Sequence, residues 1–435
     1  MYFLNVFISS MLLIGTCNGS DTRIVKKSSN KKELNTTPAN SFDKKDADER
    51  NQSTTGQKPR VSATISDSKN EDADEKGSKK IAVDVAAAKQ SSKKAPKSGG
   101  FNIEDALPAG YVKDGSVDYT SIIQDAISKY SQITFPGFPL LINDSGLKIT
   151  SNKTLLFMPG SELRLKASSS NKYSILDISN ASNVSIINPV LKGDREKHIG
   201  TDGEWGMGIN ISSSTNVNID GPKVYNCWGD GIYINQPKGH KPSKNINITN
   251  ALLVKNRRNG ISVISVNGLN LVNTEVRGLK EDEGGTRPMA GIDFEPNFSF
   301  QELSNITLSK FRTSGMGQNG IQFRLRHLYG PEPGKKLSVT INKHEDIGSP
   351  LAAILIETKN EHEYPSISGY INISNSVWTN NERYVMYCLG LNDPGILVNV
   401  TNPKIVQQNR PLDKKAAELK IKKFMRSNAK YSLAL

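Results

Sequence analysis

Cysteine is scarce: Cys17, Cys227 and Cys388 are the only three in 435 residues. If a leader carrying Cys17 is removed, two remain for at most one bridge. Histidine is scarce too, and His198, His240, His327, His344 and His362 show no metal-ligand spacing. Long apolar runs are missing: with 36% hydrophobic and 23% charged residues, only the first segment could enter a bilayer. A basic body that would suggest nucleic acid is also missing. The formal net charge is +13, but residues 21–100 and 409–435 each carry +6 and residues 101–408 carry +1. The basicity belongs to the ends, so nucleic-acid binding is not expected.

Those ends are simple to read. Residues 1–20 are uncharged, apolar and finish in small residues, which predicts a secretory signal peptide cleaved after Gly19 or Ser20. The protein is then expected to be secreted, periplasmic or at the cell surface, with a membrane link only if Cys17 is lipidated. Residues 21–100 are rich in Lys, Ser, Asp and Asn, with Phe42 as their aromatic before residue 99. They bury too little apolar surface to offset chain entropy and read as a disordered low-complexity spacer. Residues 409–435 place Ala417, Ile421, Phe424 and Met425 on one face of a basic amphipathic C-terminal helix or tail.

Between them, residues 101–408 repeat. Apolar pairs flank one outward residue in Ile209/Ile211, Ile232/Ile234, Ile261/Val263, Ile292/Phe294, Ile321/Phe323 and Ile354/Ile356. The first five pairs follow Gly208, Gly231, Gly260, Gly291 and Gly320, spaced 23, 29, 31 and 29 residues apart. A second set, among them Val184/Ile186, Val217/Ile219, Ile246/Ile248 and Leu269/Leu271, usually has an asparagine beside it. Two short period-two strands per repeat cannot each close a core alone, but stacked they can. With no helix in each unit, leucine-rich, helical and doubly wound architectures are excluded. The expected fold is all-β, a single-stranded right-handed parallel β-helix. Residues 118–130 place Ile122, Ile123, Ala126, Ile127 and Tyr130 on one face of an N-terminal capping helix, with Asp118 as its N-cap.

The opening stretch VKDGSVDYTSIIQDAISKYSQITFPGFPLLI resembles that of the pectate-lyase-like superfamily of parallel β-helix proteins, the pectate lyase 3 and rhamnogalacturonase type. Asp114, Gly115, Asp118, Thr120, Ile123, Ala126, Ile127, Phe135, Pro136 and Gly137 carry the likeness, which covers roughly 101–400. It implies a polysaccharide as partner and leaves the activity open, because the superfamily includes hydrolases, lyases, epimerases and tailspikes. The polygalacturonase pattern of a lone Asp, an Asp-Asp pair and Gly-His-Gly is absent, as is the Asp-Pro-His-Asp of alginate epimerases.

Register in such a stack turns sequence spacing into surface columns. One outward column reads Asn210, Tyr233, Ser262, Asp293, Gln322 and the next Ser212, Asn235, Ile264, Glu295, Arg324. Asp293 and Glu295 are expected on one strand face about 6.5 to 7 Å apart. That suits an acid and a base flanking a glycosidic bond with room for water. Arg324 and Arg326 are placed to hold an acidic substituent of the glycan. Asp230, Tyr233, Asn235 and Gln322 complete the candidate substrate-binding wall, while Trp205, Trp228 and Arg257, each three residues before a glycine, would stack along its rim, which Arg258 and Asn259 would continue. Glycoside hydrolysis by Asp293, Glu295 and Arg324 needs no cofactor. A lyase alternative would use Ca²⁺ on Asp293, Glu295 and Asp230, with Arg324 or Tyr233 as base, and a third reading is a noncatalytic glycan-binding surface protein. A solvated ion-pair ladder explains the same acids and arginine without chemistry. Cys227 and Cys388 fall about five coils apart, roughly 24 Å, too far to bridge.

Overall fold

The structure is a computed structural model and describes residues 100–358, 363–389, 395–422 and 431–435. The expected signal peptide with Cys17, the spacer, and Phe424 and Met425 lie outside the described residues. Among the described residues, no helix is long and apolar enough to cross a membrane.

The chain winds as a parallel β-helix. Nine strands stack in the first sheet: Leu147–Lys148, Lys172–Ser179, Trp205–Ser212, Ile232–Asn235, Ile261–Val263, Ile292–Phe294, Asn319–Arg324, Ala352–Glu357 and Tyr384–Leu389. Their inward residues form a register column, Ile209 beside Ile232, then Ile261, Ile292, Ile321, Ile354 and Met386. Each of these is fully buried, and each such side chain contributes about 1.5–3 kcal/mol by leaving water.

Each coil carries three strand segments, where the sequence pattern suggested two. After Thr215–Asp220 and Ser243–Thr249 of the second sheet come Lys223–Tyr225 and Leu252–Val254, which pair with one another as a third track. Three-residue segments give too short an alternation to stand out in sequence. In Val266–Arg277, Leu303–Ser314 and Lys336–Ile347, the second and third tracks run as one bent strand.

Asparagine makes the corners. Asn183, Asn216 and Asn245 take φ of 59°, 56° and 55° near the start of the second-track strands, and Asn188, Asn250 and Asn273 take 54°, 56° and 54° where the second track passes to the third. Asparagine tolerates this left-handed conformation better than other residues with a Cβ. Stacking coils then join the side chains: Asn216 Nδ2 donates to Asn183 Oδ1 and Asn245 Nδ2 to Asn216 Oδ1, both at 3.1 Å. The glycines before the first-sheet strands answer a different demand. A Cβ on Gly260 would lie 2.6 Å from the carbonyl oxygen of Gly291 on the next coil.

At the N-terminal side, Thr120–Lys129 is helical and buries Ile123, Ala126 and Ile127. Its flanking residue is Tyr119 rather than Asp118, yet Asp118 Oδ1 still accepts the Thr120 amide at 3.0 Å. The C-terminal segment is not only a helix. Lys414–Lys422 is helical with Ala417 and Ile421 buried, and Tyr431–Ala434 adds a parallel strand beside Ile396–Thr401. Cys227 and Cys388 are both buried and free.

Candidate active site

The outward column of the first sheet follows the expected register. Asn210 pairs with Tyr233, Tyr233 with Ser262, Ser262 with Asp293 and Asp293 with Gln322. Asp293 therefore lies on the outer face, between the core residues Ile292 and Phe294.

The column is not the open wall that alternation suggested. Asp230, Asp293 and Gln322 are fully buried, and Ser262 is buried too. Tyr233, Asn235, Glu295 and Arg324 are half-buried. In the second column Ile264 is also buried, which interrupts the polar row. A strand period tells which face a side chain takes; it says nothing of what neighbouring side chains lay over it.

The residue that organises this cluster is Arg258. Its Nε lies 2.8 Å from Glu204, Nη1 3.4 Å from Asp230 and Nη2 3.1 Å from Glu295. One guanidinium thus ties the entry turns of the Trp205–Ser212 and Ile232–Asn235 strands to the residue just past Ile292–Phe294, three coils beyond Glu204. Burial works against its charge, but the carboxyls of Asp230, Glu295, Asp293 and Glu204 outweigh that and raise its pKa. The sequence placed Arg258 only on the rim, beside Arg257, and not among the carboxylates. Only the fold shows which of the two adjacent arginines turns toward the carboxylates.

Asp230 and Asp293 are the buried acids of this cluster. Burial raises the carboxyl of Asp230, opposed by Arg258, Ser262 and the Asn259 amide, which donates to Asp230 Oδ1 at 2.9 Å. Burial also drives Asp293 well above the usual carboxylate range, with repulsion from Glu295 adding and Arg258 opposing. Asp293 Oδ1 accepts from Gln322 Nε2 at 3.1 Å, whereas Oδ2 is buried with no partner among the described residues. Gln322 is itself held by Asn319 Nδ2 at 2.7 Å. Burial beside Asp230 pushes the Tyr233 phenol up as well, which disfavours it as an ionised base.

The other expected residues are placed differently. Arg324 is paired with Glu357 on the next coil at 3.2 Å and makes no ion pair with Asp293 or Glu295. Arg326 is exposed in a short 3-10 turn, with Nε donating to His327 Nε2 at 3.1 Å. Arg257 lies over the Trp228 ring, 3.8 Å from its centroid, and His198 stacks on Trp228 at 3.9 Å. Trp228 therefore spends its ring on His198 and Arg257, not on Trp205, which is 48% exposed. The rim of stacked tryptophans reduces to Trp205. The long 280–289 insertion packs back on this edge, where the Thr286 amide donates to the Arg257 carbonyl at 2.7 Å.

Calcium does not fit the carboxylates proposed for it. Arg258 stands between Asp230 and Glu295 with a terminal nitrogen on each, so a cation would have to displace a buried guanidinium. The orphaned Oδ2 of Asp293 also suits a protonated acid better than a metal ligand.

A family model described as right handed beta helix region matches residues 140–286. The chain is 29% identical over 239 residues to the uncharacterized protein YclG of Bacillus subtilis (strain 168), covering 47% of this chain and 41% of that protein. It is 31% identical over 194 residues to the SPbeta prophage-derived uncharacterized protein YorA of the same strain, covering 40% and 32%. It thus spans less than half the length of these curated relatives. Among solved structures, the endo-xylogalacturonan hydrolase from Aspergillus tubingensis superposes with a TM-score of 0.49 at 12% identity, covering 75% of this chain and 92% of that one. The all-β, parallel-strand architecture with few helices agrees with the matched right-handed β-helix region.

Proposed function

We propose that the chain is a carbohydrate-acting β-helix protein that hydrolyses glycosidic bonds on the outer face of its first sheet. Asp293 is the proton donor and Glu295 the base. The observation that carries this reading is the contrast between two carboxyls two residues apart: Asp293 is sealed from water, which favours its protonated form, while Glu295 is half-buried and ion-paired with Arg258 at 3.1 Å. Acid–base division calls for paired acids in different environments. In the reaction Asp293 gives its proton to the leaving glycosidic oxygen. Glu295 takes one from the water that attacks the anomeric carbon, inverting it. Trp205 offers an exposed ring for the apolar face of a sugar. Arg326, exposed in its turn, is the arginine left for an acidic substituent.

The calcium-dependent lyase reading has less support, because the guanidinium of Arg258 takes the place its cation needs. A second reading rests on one observation: Asp293 is entirely closed to solvent. In that reading the cluster fastens coils together beneath a wall that binds glycan without cleaving it. Export of the protein belongs to the same proposal and depends on the leader at residues 1–20.

Reducing-sugar release from polygalacturonate, alginate, xylan and dextran separates the readings. Hydrolysis predicts release by the native chain and a fall of about 10²–10⁴ in D293N and E295Q. Binding without release assigns the wall to recognition, and absorbance of an unsaturated uronide would reinstate the lyase.

A further inference from the structure

One loop beside the candidate site keeps two large apolar side chains in water. Phe298 is 53% exposed and Phe300 38% exposed. Their rings stack with centroids 5.3 Å apart and planes 10° from parallel. They lie on the turn between the Ile292–Phe294 and Leu303–Ser314 strands, three and five positions beyond Glu295.

This turn is fastened. Gln301, buried to 1% exposure, accepts the amides of Asn297 at 2.6 Å and Phe298 at 3.0 Å through Oε1. Its Nε2 donates to the Gln236 carbonyl at 3.1 Å, and its own amide to the Phe298 carbonyl at 3.1 Å. Ser299, between the two phenylalanines, faces Gly330 so closely that a Cβ there would lie 2.3 Å from it. The loop is therefore held from both sides, and the rings stay outward because the backbone beneath them is committed.

We infer that Phe298 and Phe300 form an aromatic platform that binds the apolar C–H face of a pyranose ring, a saccharide subsite beside Glu295. This rests on the carbohydrate reading above and extends it to a residue pair that alternation and spacing did not single out. Two neighbouring phenyl rings at these exposures offer on the order of 200 Å². A stable protein interface needs about 800 Å² on each partner, so a second copy of the chain is a poor match. A sugar ring matches in size, and the surroundings are polar: Asn297 is exposed and Asn267 Nδ2 is bonded to Glu302 at 2.9 Å.

The test uses the full chain and its F298A/F300A and F298Y/F300Y variants in affinity electrophoresis with polygalacturonate, alginate, xylan and dextran. Sugar release by the native chain and D293N is followed in parallel. The platform predicts that F298A/F300A weakens binding about tenfold or more, that F298Y/F300Y keeps it, and that thermal unfolding and sedimentation match the native chain. Unchanged binding in F298A/F300A overturns the platform even if D293N is inactive. So does loss of self-association in that variant, or no binding of the native chain to any of the four polymers. Binding that depends on the rings, with no sugar release, keeps the platform and refutes the hydrolase.

Discussion

Gln322 stands beside Asp293 on the next coil and donates its amide hydrogen to one carboxyl oxygen, leaving the other buried and unpartnered. A charge on that carboxyl would strand a lone oxygen away from water, so the protonated form is favoured. The proton is bound more tightly in the folded chain than in the unfolded one. The stabilising effect is therefore complete below the ordinary carboxylate pKa of 3.8 and is lost as pH rises toward the folded value. Asparagine in D293N carries no such proton. The stability of D293N relative to the native chain should rise with pH, by up to about 1.4 kcal/mol per unit. Urea unfolding of both chains between about pH 4 and about pH 8 measures the gap; a gap that stays constant means Asp293 is ionised in the fold.

Arg258 is the charge on which three carboxylates depend. R258M should cost about 3–5 kcal/mol, because Asp230 is left buried without its cation. Adding D230N should recover part of that loss. Denaturant midpoints for the two single variants and the double variant give the coupling, and strictly additive effects would show that Asp230 and Arg258 do not interact.

His344 gives the distal coils an acid-side pH dependence. It is buried inside the solenoid, where Trp378 Nε1 donates to its Nδ1 at 3.2 Å and Thr313 Oγ1 lies 3.1 Å from its Nε2. Burial lowers its pKa from 6.5 to about 3. The unfolded chain binds the proton first, so stability falls on acidification from about pH 6.5 to about pH 3, by up to about 1.4 kcal/mol per unit. H344Q should unfold with a flatter acid limb. Asp346, also buried and raised by that burial, acts with the opposite sign, so the comparison is between the two chains at each pH.

The asparagine corners give a backbone test. N216A should lose about 1–2 kcal/mol from its left-handed φ of 56°, in addition to its two ladder hydrogen bonds. N216G removes only the ladder. Thermal unfolding that ranks native above N216G above N216A agrees with this division, and equal midpoints for N216G and N216A would mean the backbone term is negligible.

Alternation and period were enough to read the stack from sequence. Gly208 through Gly320 and their apolar pairs name the first sheet, its inward residues and its register, because identical short strands bury their apolar faces only by piling in line. The third strand track was hidden, since Lys223–Tyr225 and Leu252–Val254 are too short for a period. Spacing also placed Asp293 beside Ser262 and Gln322, but not its burial. It put Arg258 on the rim and Arg324 beside the acids, whereas Arg258 gathers the carboxylates and Arg324 turns to Glu357. Those outcomes depend on which side chains fold over the outer face, and such contacts join residues from 28 to 54 positions apart, as Arg258 does with Asp230 and Glu204, through geometry that no local pattern encodes. The sequence by itself determined the coil; tertiary packing decided which charges meet, which acid is sealed from water, and that Phe298 and Phe300 remain outside.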